Sequence, residues 1–496
     1  MLSKALLLLI SALLILVSLP GGGLPLLACI AVAPALIATA NLKPVQAGLM
    51  LGAWSWFWWC CTLWWASSSL VLFADSSNLT GTLVTALVCF TLALPYAISA
   101  FLISHFNLWH SPLRLIQIPL LFAVLIGLFS TVLPAAPVNA LFEYPILLQW
   151  ADVGGLPILV LFYFIFNTAI AAIFVNKKNG LLTTAATLFI LPIVVLLYGD
   201  YQLTKQDQQP TTLFTIGYIQ PVANKQDKLS TLIAQTQTLK QTAEQVDLVI
   251  WPEVPVDFSW HDKQYERYRI RKLAQEVNSH LIVLSGYHYA NGSDAANGHF
   301  NSANFISNNG DSLAEYRKQK LVPFFEYLPF KGYLAPYFPN TRNYIPGQEA
   351  VPFQYKSLTL APLICYEALF TGLVRPYIEQ GADIIINPGN DGWFGKSGAL
   401  GHLSLASLRA IEYRTPVIRV NNSGVSTVIN HKGEIQFETL SPLDTKAAKV
   451  FTLPIAQAEK TFFYRYGTTL NILSVIVLGL SLPLAKKRKN KKESSS

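Results

Sequence analysis

Three short segments carry residue types that could do chemistry together. Trp251-Pro252-Glu253 sets a carboxylate just past the apolar run Asp247–Trp251. Tyr316-Arg317-Lys318-Gln319-Lys320 offers a lysine, and Glu326 supplies a second carboxylate further along. Ile364-Cys365-Tyr366-Glu367 places a thiol where a strand pattern gives way to a helical one. A thiol attacks a carbonyl as thiolate, and a free cysteine is mostly protonated at neutral pH. Glu253 can take that proton as general base, and a helix starting after Cys365 would favour the anion. The attacked carbonyl becomes an oxyanion, which the Lys318 ammonium suits; donors of that kind are worth about 3–4 kcal/mol of barrier. A thioester would then split one hard transfer into two easier ones. Blander readings exist: a solvated lysine beside Lys320, a buried cysteine filling space, and a Glu326 that only pairs with Lys318. Each segment alone is a weak signal, whereas the ordered set is strong.

The other thiols read differently. Cys29, Cys60, Cys61 and Cys89 fall inside apolar runs, where small filler is the ordinary role. Cys365 alone lies in a polar stretch and has no nearby disulfide partner, which marks it as reactive. No Cys/His cluster has metal-ligand spacing, so neither a metal nor a cofactor is expected.

The elements that must position these residues divide in two. Before Asp200 the only Lys or Arg residues are Lys4, Lys43, Arg114, Lys177 and Lys178, and the only acids Asp75, Glu143 and Asp152. A membrane-spanning helix needs about 20 apolar residues. Candidates lie near residues 3–19, 24–41, 47–72, 81–104, 114–134, 156–176 and 181–199, with an eighth near 468–485. Pro20-Gly21-Gly22-Gly23 leads straight into another apolar run, so a retained helical hairpin is expected and not a cleaved leader. Basic residues are retained in the cytoplasm. Lys4, Lys43, Arg114 and Lys177-Lys178 mark alternate loops, and the connections between them hold only acids. Eight spans then put both termini in the cytoplasm and the segment after span seven outside. The tail Lys486-Lys487-Arg488-Lys489 inflates the net charge of +8 and reads as a topology anchor. Nothing resembles an aromatic-and-basic nucleic-acid surface. Trp54, Trp56, Trp58, Trp59, Trp64 and Trp65 read as an interfacial belt.

From residue 211 to 455 strand and helix patterns alternate. Strands are expected at Leu213–Gln220, Asp247–Trp251, Leu281–Gly286, Asn304–Ser307, Ser312–Tyr316, Ser357–Ile364, Ala382–Asn387, Val417–Asn421 and Thr427–Asn430. Helices are expected at Lys228–Glu244, Asp262–Asn278, 370–379 and 403–413. This alternation argues an α/β domain with site residues at the carboxyl edges of strands. The division is therefore a membrane domain over 1–200, a catalytic domain over 211–455, a last span over 468–485 and a basic tail over 486–496.

With those segments in hand, the chain resembles the apolipoprotein N-acyltransferases, membrane members of the nitrilase (carbon–nitrogen hydrolase) superfamily. Further matching stretches are Asn390-Asp391-Gly392-Trp393-Phe394-Gly395, His402, Arg409-Ala410-Ile411-Glu412 and Arg419-Val420-Asn421-Asn422-Ser423-Gly424. The resemblance implies a four-layer α-β-β-α sandwich beside a polytopic helical domain of about eight spans. It implies a triad of Glu253, Lys318 and Cys365, with Glu326 as supporting acid. It also points to Tyr366, Glu367, Phe325 and Trp393 as candidate substrate-binding residues. The implied donor is a membrane phospholipid, and the implied acceptor is the α-amine of a diacylglyceryl N-terminal cysteine on an apolipoprotein. The implied location is the bacterial inner membrane, with a periplasmic catalytic domain and a monomeric protein. Two positions depart from the family pattern: Phe325 stands where many members have glycine, and Lys225-Gln226-Asp227 stands where they tend to carry a tryptophan.

Two other functions compete. A nitrilase-type site could hydrolyse a small amide, although seven spans before the domain suit a lipid substrate better. A catalytically dead lipoprotein-binding factor would have no need of all three triad residues. The apolar run Phe324, Phe325, Tyr327, Leu328 and Phe330 reads either as core or as a lid over an acyl chain.

Overall fold

A computed structural model describes the chain except residues 1, 176–179, 207–208, 211, 223–227, 244, 254–259, 261–262, 290–298, 340, 342, 457–458 and 494–496, and except the side chains of 2, 286–289 and 484–493. Lys177-Lys178, Lys225-Gln226-Asp227 and the basic side chains of the tail therefore lie outside the described residues. The chain forms two compact units, one of residues 1–64, 82–205 and 460–496, the other of residues 65–81 and 206–459.

Each expected span holds helix over at least part of its length, but not every helix is long. Among the described residues, four helices are long and apolar enough to cross a membrane: Asn78–His105, Ala151–Val175, Leu181–Thr204 and Phe462–Pro483. Ser3–Ser18, Pro25–Thr39 and Arg114–Phe129 are shorter apolar helices. The break inside the second of these has a cause. Asn167 accepts the amides of Val32 and Ala33 at 3.0 and 2.9 Å. Its own amide donates to the carbonyls of Cys29 and Tyr163. One buried side chain thus satisfies the backbone groups that the interrupted helix leaves open.

Two sequence expectations change here. The third span, 47–72, is broken into Pro44–Thr62 and Trp64–Ala74, bent by 51°, and residues 65–81 cluster with the α/β unit. The tryptophan belt also divides. Trp54, Trp58 and Trp59 are buried, and Trp54 and Trp58 meet Tyr96 edge-on at 6.0 Å, while Trp56 and Trp64 are exposed. Helical spacing brings positions 54 and 58 onto one face, so they serve the interior and not an interface.

The second unit holds two sheets. The first has the order β11-β1-β2-β3-β4-β5, built from β1 (Thr212–Gln220), β2 (Leu248–Ile250), β3 (His280–Tyr289), β4 (His299–Ile306), β5 (Ser312–Arg317) and β11 (Ala447–Ile455). The second has the order β10-β9-β8-β7-β6, built from β6 (Phe353–Tyr355), β7 (Leu358–Pro362), β8 (Ile384–Gly389), β9 (Val417–Asn421) and β10 (Thr427–Ile429). The central strands β1, β2 and β3 run parallel, as do β7, β8 and β9. Their continuous apolar runs are what strands covered on both faces require.

The sheets meet through side chains of one strand parity. Phe214 packs on Tyr355 and Phe305 stacks on Phe353, with ring centroids at 4.9 and 5.1 Å. The opposite parity faces helices. Ile219, Val249, Trp251, Leu281 and Val283 share a buried cluster with Leu232 and Leu239 of Lys228–Thr242 and with Ile270 and Leu273 of Gln264–Val277. A Cβ on Gly217 would come within 2.9 Å of the end of the Leu239 side chain, so glycine lets that helix lie close without moving it. Helix Gly395–Tyr413 packs on β9, and Thr371–Glu379 packs beside it. The result is helix, sheet, sheet, helix.

Candidate active site

The sheet topology brings the chemistry together from strand ends of the two sheets. Glu253 follows the carboxyl end of β2, and Cys365 follows that of β7. Because β4 runs antiparallel to β3 and β5 antiparallel to β4, the end of β5 returns to the edge where β2 ends. Ser302 pairs with Arg317, so Asn301 lies across from Lys318, whose amide donates to the Asn301 carbonyl at 2.8 Å.

Lys318 is the centre of a buried charge cluster. Its Nζ donates to Glu253 Oε1 at 3.0 Å and to Glu326 Oε1 at 2.8 Å. Asn301 Nδ2 donates to the same two oxygens at 2.8 and 3.2 Å, and the Val322 amide donates to Glu326 Oε2. Burial alone would lower the Lys318 pKa, but Glu253 and Glu326 more than offset it and hold the ammonium well above its ordinary range. Lys318 is therefore a fixed cation. Glu253 Oε2 is buried and has no hydrogen-bond partner among the described residues, which makes it the candidate oxygen to take a proton.

Cys365 is 1% exposed and sits at φ +51°, in the left-handed region. A non-glycine residue held there costs on the order of 1–3 kcal/mol and persists only where its surroundings over-determine it. Burial pushes the thiol pKa well up, the carboxylates of Glu253 and Asp391 add to that, and Lys318 opposes it. The resting group is a thiol, so nucleophilic attack must be coupled to proton loss.

A second network surrounds the nucleophile. Asn387 Nδ2 and His402 Nε2 approach the Cys365 carbonyl at 3.1 and 3.2 Å. His402 Nδ1 lies 2.8 Å from Asp391 Oδ1, and Arg419 donates to Asp391 Oδ2 and to Asn387 Oδ1. Gly424 must be glycine here, since a Cβ would lie 2.7 Å from Asp391. Cys365, Asp391 and His402 each offer an atom that could ligate a metal, within 4.8 Å of one another. Both Asp391 oxygens are already bonded to His402 and Arg419, so the trio reads as a hydrogen-bonded chain.

The remaining expected site residues fall into two groups. Glu367 is wholly buried and turned inward. Its Oε1 accepts Tyr316 Oη and the amides of Gln319 and Lys320, and its Oε2 accepts the Ile364 amide. That geometry straps the lysine segment to the cysteine turn, with both carboxylate oxygens engaged by the protein itself. Tyr366 is buried, with its ring against Phe370 at 4.9 Å. Phe325 and Trp393 do come together, edge to face at 5.1 Å. Phe73 meets the same indole at 5.1 Å, and Trp65 meets Phe394 at 4.8 Å. The Ser69 hydroxyl donates to the Trp393 carbonyl. Beyond them Leu328 is buried whereas Phe330 and Tyr333 are exposed, so the run after Lys318 is core only in part.

Sequence reasoning had no signal for Asn301, whose place depends on strand register. It reached Asp391 and Arg419 only as matching segments and His402 as a nearby polar support, and no pattern linked Asp391 or Arg419 to Cys365.

This fold brings carboxylate, ammonium and thiol together from strand ends of the two sheets, and residues 215–454 match the carbon–nitrogen hydrolase family and form such a domain. Curated relatives that the chain resembles over part of its length are named apolipoprotein N-acyltransferases. The one from Geobacter metallireducens is 30% identical over 250 residues, covering 49% of this chain and 47% of that protein. The one from Rhizobium leguminosarum bv. trifolii is 30% identical over 348 residues, covering 63% of each. The chain thus spans less than two thirds of the length of these relatives. Among solved structures, an amidase from Nesterenkonia sp. is 18% identical, covering 50% of this chain and 92% of that one at a TM-score of 0.38.

Proposed function

We propose that this protein moves a fatty acyl group from a membrane phospholipid, through a Cys365 thioester, to the α-amine of a diacylglyceryl N-terminal cysteine on an apolipoprotein. The observation that carries this reading is the buried Glu253–Lys318–Glu326 cluster beside the Cys365 thiol, in a chain whose curated relatives bear that name. Glu253 Oε2 takes the thiol proton as Sγ attacks the ester carbonyl carbon. The tetrahedral oxyanion forms against the Lys318 ammonium, a donor worth about 3–4 kcal/mol of barrier. Its collapse breaks the carbon–oxygen bond, and the leaving lysophospholipid oxygen takes the proton back from Glu253. In the second half the acceptor amine attacks the thioester and gives its proton to Glu253. Cys365 then leaves and is reprotonated. Glu326 acts as supporting acid by fixing Lys318. Phe325 and Trp393 form a wall suited to an acyl chain. Eight spans, two cytoplasmic termini, a periplasmic catalytic domain in the inner membrane and a monomeric state complete the proposal.

The test is intact-mass measurement after incubating purified protein with phospholipid, alongside Cys365→Ser. One hydroxylamine-labile acyl chain is expected on the wild type only, and a diacylglyceryl peptide should discharge it as an amide. No adduct with any phospholipid would overturn acyl transfer and favour small-amide hydrolysis or a binding role.

A further inference from the structure

Two buried carboxylates share one ammonium in this site, and a neutral amide completes the arrangement. Glu253 and Glu326 both pair with Lys318. Each Oε1 also accepts from Asn301 Nδ2, at 2.8 and 3.2 Å respectively. Donors and acceptors therefore alternate in a closed ring, with Lys318 Nζ and Asn301 Nδ2 facing each other across the two Oε1 atoms. The reverse amide orientation would set a carbonyl oxygen against two carboxylates, so the charges decide which Asn301 atom donates. Asn301 is 1% exposed and stands on β4, where its carbonyl accepts the Lys318 amide at 2.8 Å. The amide is thus held by the sheet itself.

A carboxylate gripped at one oxygen by one donor still swings about its terminal torsion, which is broad for glutamate. Two donors from different residues converge on Glu253 Oε1, which stops that swing and sets where Oε2 lies. The shorter of the two Asn301 bonds is the one to Glu253, whereas Lys318 lies closer to Glu326. We propose that Asn301 is a positioning residue for the general base, holding Glu253 Oε1 so that Oε2 is presented to the Cys365 thiol. The inference rests on Glu253 as the base for Cys365 and not on the identity of the acyl donor.

Double-mutant cycles separate this role from plain packing. The readouts, on full-length protein, are single-turnover acylation of Cys365 by phospholipid and by a p-nitrophenyl ester, whose released p-nitrophenolate reports acylation without any lipid. Asn301→Leu removes the amide at similar size. Misplacing a reacting group by about 1 Å costs about 10²-fold, and the acylation rate should fall on that scale with KM unchanged. In a Glu253→Gln background the same substitution should cost nothing more, because the base it positions is already gone. In a Glu326→Gln background its loss should persist. A residue that only fills space would cost alike in all three. An equal loss in all three backgrounds, no loss in the otherwise wild-type chain, or a loss that vanishes only with Glu326→Gln would overturn the proposal. If the ester acylates wild-type protein and phospholipid does not, acyl transfer from phospholipid falls, and the ester cycle still decides the role of Asn301. Acylation by neither would remove Cys365 as nucleophile and the proposal with it. Should Asn301→Leu not fold, Asn301→Ser enters the same cycles, since its hydroxyl ends one bond short of the amide nitrogen.

Discussion

At the scale of single residues, the site separates a group that carries charge from groups that exchange a proton. Lys318 is locked between two carboxylates, so its role is electrostatic. Replacing it would leave Glu253 and Glu326 facing each other unpaired, which makes Glu253→Gln the cleaner probe. The amide carbonyl can still accept from Lys318 and Asn301, but the base is gone. Turnover should fall by about 10²–10⁴-fold with little change in melting temperature, as read by single-turnover acylation and thermal unfolding. The thiol makes a separate pH prediction. Burial raises the Cys365 pKa well above 9.0, so the thiolate fraction grows with every pH unit below that value. Alkylation of the Cys365 peptide should therefore keep rising through about pH 9. A plateau near neutrality would mean a preformed thiolate. Glu253, Lys318, Glu326 and Cys365 were legible in the sequence because their neighbours are distinctive. Asn301 was not, because an asparagine inside a strand carries no signal until the register places it opposite Lys318.

At the scale of elements, Glu367 joins two segments far apart in sequence. It binds three donors from Tyr316–Lys320 and one from Ile364, so the end of β5 and the turn after β7 move as one piece. Glu367→Gln would turn an amide N–H towards the Ile364 N–H, leaving a buried donor unmade at a cost of about 1–3 kcal/mol. A lower melting temperature and slower acylation should follow. Burial also pushes the Glu367 carboxyl up to about 7. The folded state then holds this proton more tightly than the unfolded chain, so the stability it contributes is full below about pH 4.5 and lost as pH rises through about 7. Urea unfolding across that window, with Glu367→Gln as control, should show a slope in the wild type that the variant lacks. Gly424→Ala tests the other arm. Its Cβ would press on Asp391, and overpacking of that kind costs about 1–3 kcal/mol, measurable as a fall in melting temperature. Most strands and helices could be read from their patterns. Phe353–Tyr355 and Ala447–Ile455 could not, the first being short and the second having the mixed exposure of an edge strand.

At the scale of the whole molecule, the alternation of basic and acidic loops leads to a topology that can be measured. Reporter fusions at Lys43, Arg114 and the C-terminus should report cytoplasm, and fusions near Asp75, Glu143 and residue 300 the opposite side. A residue-300 fusion on the cytoplasmic side would remove the periplasmic assignment. The sequence by itself determined which residue types could do the chemistry, that a polar α/β segment follows a long apolar one, and which loops carry the charges. Those properties are local, written in composition and in periods of a few residues. Tertiary structure alone decided the rest. It broke the third apolar run at residue 63 and gathered residues 65–81 with the α/β unit, because packing on Trp393 and Phe394 is a long-range contact. It turned Glu367 inward and set His402 against the Cys365 carbonyl, because strand order and register decide which distant residues of the two sheets meet, and no short-range pattern records them.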